Sequence, residues 1–89
     1  MYQIRILDVA ERELAQLDKT VGRRIVKRIR WLAENVENVK PLPLTGDLAG
    51  FYKLRVGDYR VVYEILQVEQ MLVIHLIGHR REIYRNKSR

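Results

Sequence analysis

The dipeptide Gly57-Asp58 stands between two runs, "YKLRV" (52 to 56) and "YRVVYEIL" (59 to 66), that both read as β-strands. A two-residue connection with Gly first suits a type II′ hairpin turn, because only Gly takes the required positive φ without steric cost. Closing the loop there pairs Val56 with Tyr59, Arg55 with Arg60, Leu54 with Val61 and Lys53 with Val62. Side chains alternate along a strand, so Tyr52, Leu54, Val56, Val61, Tyr63 and Ile65 share one face. Lys53, Arg55 and Arg60 share the other, which the same reading leaves open.

Like charges directly opposite on a sheet cost a few tenths to about 1 kcal/mol per pair. Two arrangements can carry this pair. An anion can sit between the guanidiniums, whose planar forks suit phosphate, or the arginines can splay apart on a solvated face.

The remaining chain supplies layers for this hairpin. "YQIRIL" (2 to 7) has the period of a strand, and Asp8 with Glu11 three residues later predicts a capping box at the start of a first helix. Ala10, Leu14 and Leu17 form its buried stripe, with Glu11, Arg12, Glu13 and Gln16 toward water. Asp18 or Thr20 caps a second helix, in which Val21, Ile25, Ile29, Leu32 and Val36 make one apolar face. Its outer side carries Lys27 and Arg28 beside Trp31, which reads either as a basic, aromatic-tipped surface for RNA or an acidic partner, or as an ordinary solvated face. Pro41 and Pro43 mark 35 to 50 as a loop. "MLVIHLIG" (71 to 78) is apolar on both faces, as a central strand should be, with His75 expected as a packed core residue. The order β-α-α-β-β-β predicts one α+β domain over residues 1–89, a small sheet dominated by antiparallel pairs with both helices on one face.

Eighty-nine residues suffice for one core, since a chain of this size buries roughly 60 to 65% of its unfolded surface. With no cysteine, neither disulfides nor thiolate metal sites enter. The longest apolar run is far short of the roughly 20 residues that cross a bilayer, and the start lacks the order of a signal peptide. The expected setting is cytoplasmic. Lys and Arg number 17 against 11 Asp and Glu, giving +6, and residues 51 to 89 hold 8 basic and 4 acidic side chains. Such a balance favours a polyanionic partner. The C-terminal "GHRREIYRNKSR" adds Arg80, Arg81 and Arg85 around Tyr84, a pattern that serves single-stranded nucleic acid because phosphates take the cations and a base stacks on the ring. Lys87 to Arg89 read as a solvated tail.

No metal constellation or Gly-rich phosphate loop is present, and no cofactor is expected. His79, beside Arg80, is either a structural side chain or a proton-transfer group, since imidazole exchanges protons near neutral pH. RNA cleavage needs no metal in principle. The 2′-hydroxyl attacks the neighbouring phosphate, and the protein positions the chain and stabilises charge on the phosphorane.

Taken together, "YKLRVGDYRVVYEI" and "LIGHRREIYR", placed after a strand and two helices, resemble the RelE/ParE superfamily of toxin–antitoxin toxins, nearest the RelE branch. The resemblance implies a compact α+β fold, a ribosome-dependent mRNA endonuclease acting on the A-site codon, and an acidic, partly disordered antitoxin that wraps the basic face. By that resemblance Lys53 and Arg60 hold and polarise the scissile phosphate, Arg80 stabilises the transition state or leaving group, and Tyr84 stacks on a base.

Position 55 departs from the family. Where RNA-cleaving members carry a lysine proposed as general base, this chain has Arg55, and a guanidinium keeps its proton at neutral pH. Either Lys53 takes the proton, or Arg55 acts only electrostatically and cleavage is slower or altered, or the protein works with the ParE-like gyrase inhibitors that share the fold. A non-catalytic nucleic-acid-binding module is a further alternative.

Overall fold

A computed structural model describes residues 1–87, with side chains to residue 83. The chain runs β1 (Gln3–Ile6), α1 (Asp8–Ala15), α2 (Lys19–Glu34), β2 (Leu42–Pro43), β3 (Tyr52–Val56), β4 (Tyr59–Leu66), β5 (Met71–His79) and α3 (Arg80–Lys87). The five strands form one sheet in the order β1-β5-β4-β3-β2. Only β1 joins it in parallel, alongside β5, because α1 and α2 carry the chain across before the hairpin begins. The α+β architecture expected from the sequence is therefore present.

The predicted hairpin register holds at every pair, including Arg55 opposite Arg60. Gly57 has φ +60°, and a Cβ there would also stand 3.2 Å from the Arg24 guanidinium. One face of the sheet, the helix face, packs Leu54, Val56, Val61, Tyr63, Leu72, Ile74 and Ile77 against Ala10 of α1 and Ile25, Ile29 and Leu32 of α2. Each fully buried aliphatic side chain in this layer contributes roughly 1.5–3 kcal/mol. Asp18, not Thr20, caps α2, its carboxylate accepting from the Thr20 N–H at 3.2 Å.

Four local expectations are corrected. The capping box at Asp8 does not form: Leu7 is the N-cap and no side chain caps α1. The parallel ladder continues one residue beyond β1, the Leu7 N–H donating to the Ile74 carbonyl, which pushes the helix start onto Asp8. Glu13 does not face water but accepts from the Ile77 N–H at 2.9 Å. Because β1 ends early, that N–H lies on an otherwise unpaired stretch of the β5 edge, and an orphan donor there would be costly. The proline loop contains β2, where Leu42 pairs with Lys53 and Pro43 with Tyr52; a proline is tolerated because β2 is the outer strand. Finally, His75 is no core residue. Val62 faces Leu76 while Tyr63 faces Ile74, so His75 is the extra residue of a bulge. It is half-buried, with Nε2 3.0 Å from Glu64 Oε1.

Two stability predictions follow from this packing. Glu13→Ala removes the acceptor of a strand-edge donor and lowers stability by about 1–3 kcal/mol in urea unfolding, with Glu13→Gln losing less. Tyr63 is 1% exposed, and burial, then the neighbouring Tyr52, pushes its phenol from 10.0 up to about 12. Above pH 10 the unfolded chain releases a proton that the fold retains, so this contribution is intact below pH 10 and declines as pH rises through about 12. The loss is roughly 2–3 kcal/mol; Tyr63→Phe should flatten that part of the stability profile.

Candidate functional site

The face opposite the helices carries Lys53 and Arg55 from β3 and Arg60 from β4, as strand alternation requires. Arg55 is exposed and has no ion-pair partner among the described residues. Lys53 is half-buried, with Leu42 and Val62 as its cross-strand neighbours. Arg80 is exposed, and its N–H donates to the Asp58 carbonyl at 2.9 Å. That bond ties the start of α3 to the hairpin turn, so Arg55, Arg60 and Arg80 gather at one end of the sheet.

Arg60 corrects the expectation of an open face, being only 9% exposed. Its Nη1 donates to the carbonyls of Gly57 and Tyr59, both at 2.9 Å. Its buried Nε has no hydrogen-bond partner among the described residues. Gly78 lies opposite Arg60 on β5, and a Cβ at Gly78 would stand 3.3 Å from Ile83 of α3. A glycine there admits the helix, and the helix covers this end of the strip. Arg60 is thus largely scaffold: one nitrogen braces the turn, and its desolvated charge lies beneath the exposed Arg55 and Arg80.

The remaining candidates lie elsewhere. His79 pairs with Tyr59 on the helix face, its ring edge-on to Tyr59 at 5.6 Å. Its Nδ1 accepts from the Arg81 N–H at 3.2 Å, which makes it a cap for α3. Arg81 is exposed on the first turn of that helix. Lys27 and Arg28 are exposed on α2, with the Arg28 guanidinium 4.6 Å above the Trp31 ring; the helix layer and the sheet separate them from Arg55. The side chains of Tyr84 and Arg85 lie outside the described residues, as does the end of the tail assigned to Lys87–Arg89. Among the described residues no three His, Cys, Asp or Glu side chains cluster as metal ligands would.

Sequence reasoning missed Phe51, Glu64 and His75. The His75 ring stacks at a tilt on Phe51, centroids 4.6 Å apart. Alternation puts Glu64 on the Arg60 face, but no sequence signal marks the bulge that turns His75 toward it.

Residues 4–84 match the profile of the ParE toxin of the type II toxin–antitoxin system parDE. The chain belongs to the RelE/ParE superfamily of type II toxins. It is 33% identical over 88 residues to Toxin RelG of Mycobacterium tuberculosis, covering 94% of this chain and 97% of that protein. The toxin of the RelBE2 toxin–antitoxin complex from the same organism superposes with a TM-score of 0.79 at 30% identity, over 89% of this chain and 91% of that one. The isolated Escherichia coli RelE toxin gives 0.75 over 99% and 96%, and at 22% identity it supports the fold alone. These relatives place this superfamily member near RelE. Within its frame the two opposed arginines should respond oppositely to substitution. Arg55→Thr relieves a like-charge pair and raises unfolding stability by a few tenths to about 1 kcal/mol. Arg60→Ala leaves two turn carbonyls without their donor and lowers it by about 1–3 kcal/mol; chemical denaturation of both variants measures the difference.

Proposed function

We propose that this RelE-like toxin is a ribosome-dependent mRNA endonuclease that cuts the A-site codon by metal-independent attack of the RNA 2′-hydroxyl. The observation that carries this reading is the convergence of Arg55, Arg60 and Arg80 on the hairpin end, with Lys53 next along β3. The 2′-oxygen forms a bond to phosphorus, the bond from phosphorus to the 5′-oxygen breaks, and the products are a 2′,3′-cyclic phosphate and a 5′-hydroxyl. Charge accumulates on the non-bridging oxygens, where Arg55 stabilises it directly and Arg60, braced on the turn beneath the surface, adds its positive charge from behind. Arg80 hydrogen-bonds the leaving 5′-oxygen, which takes its proton from solvent, while Tyr84, with Arg81 and Arg85, holds the codon by stacking and phosphate contacts. A lysine side chain reaches its neutral amine form more readily than a guanidinium does, so we assign the 2′ proton to the free amine of Lys53, which becomes the ammonium, and a purely electrostatic role to Arg55.

An antitoxin belongs to this reading, as in the similar RelBE2 complex. An acidic, partly disordered chain would trade its ordering entropy for a large wrapped surface on a protein of net charge +6. The match to a ParE profile supports a second reading, inhibition of DNA gyrase.

Incubation with programmed ribosomes separates the two. Wild type should cut mRNA in the A site and leave a cyclic or 3′ phosphate. Arg80→Ala should slow cleavage by at least tenfold, and Arg55→Lys, which restores a titratable group, should raise the rate. Intact message at saturating protein, with gyrase supercoiling blocked instead, would establish the gyrase reading.

A further inference from the structure

Beside the cation strip, on the same face of the sheet, lies a pocket of about 460 Å³ whose walls include Arg5, Asp8, Leu48, Phe51, Val62 and His75. None of these belongs to the phosphate site described above. Val62 and Leu48 give it an apolar floor, and Phe51 and His75 line it as a tilted aromatic pair. The bulge lifts His75 out of the ladder, and Glu64 fixes its ring through Nε2, leaving Nδ1 without a hydrogen-bond partner among the described residues. Arg5 and Asp8 are exposed at the rim and supply a donor and an acceptor.

Phe51 immediately precedes β3, and its carbonyl accepts from the Leu44 N–H at 3.0 Å, so the β2–β3 pairing runs on to it; alternation then puts it on the face of Lys53, about 6.7 Å along the chain. An aromatic pocket with edge-reading polar groups, one step from a line of cations, has the makings of a single-stranded nucleic acid site: rings take the base and cations take the backbone. An acidic peptide would use the cations but would have little use for a stacked ring pair. We propose that this pocket holds one nucleobase of the RNA strand, with the adjoining phosphate on Lys53, so that Phe51 and His75 select and orient a nucleotide flanking the cut. The assignment rests on the RNA-cleaving reading, and its test is built to fail separately.

The probe is a dye-labelled 2′-O-methyl hexanucleotide, which cannot be cut, with each base deleted in turn and binding followed by fluorescence anisotropy over a salt series. On wild type, losing one particular base should weaken binding roughly tenfold. Phe51→Leu should cost a similar factor, and the same deletion should then cost nothing more. The His75 ring resonances, followed by NMR on the wild-type protein, should shift with the intact probe and not with the one lacking that base; this keeps the test decisive if Phe51→Leu fails to fold. Salt-dependent binding with no base deletion coupled to Phe51, and unmoved His75 resonances, overturns the pocket while leaving the phosphate strip standing. No binding at any salt overturns the pocket, while the RNA-cleaving reading stands or falls separately on the assay with programmed ribosomes.

Discussion

Everything on the cationic face depends on the register of the β3–β4 hairpin. Gly57 turns the chain at φ +60°, and from that point each residue's face is decided by parity. A slip of one residue would send Lys53, Arg55 and Arg60 under α2 and bring Leu54, Val61 and Tyr63 into water. Opposing Arg55 to Arg60 costs up to about 1 kcal/mol, whereas each apolar side chain that the register buries returns roughly 1.5–3 kcal/mol. The core therefore holds together a charge arrangement that would not assemble by itself.

A second constraint acts at the other margin of the sheet. β1 covers only the first part of β5, which runs on through His79. Glu13 takes over where β1 stops, its carboxylate accepting the Ile77 N–H. α1 thus pins the far half of β5, the half that supplies Gly78 and leads into Arg80. The contact spans 64 positions in sequence, and it couples the first helix to the strand from which α3 and its arginines depart.

What could be read in the sequence was what depends on local period. The hairpin register, the stripe along α2 and the cations on one face all follow from alternation and turn chemistry. What could not be read depends on distant neighbours. Arg60 looked open because nothing in "RREIYRNK" announces that Ile83 will lie over Gly78. Glu13 looked like a solvated helix residue because its partner is a backbone N–H left over by a short strand. Asp8 has the chemistry of a cap, but the ladder reaches Leu7 and claims the position before it.

The bulge at His75 alters how β5 should be thought of. Leu72, Ile74 and Ile77 all point to the core although the last two are an odd number of residues apart. Strike out His75 and those three fall into strict alternation. The strand is thus a regular ladder with one residue inserted out of frame, and the inserted residue is the one whose ring contacts Phe51 and Glu64. Scaffold and inserted side chain are written in separate frames on the same strand: the ladder would close without His75, whose contacts to Phe51 and Glu64 lie outside the core cluster.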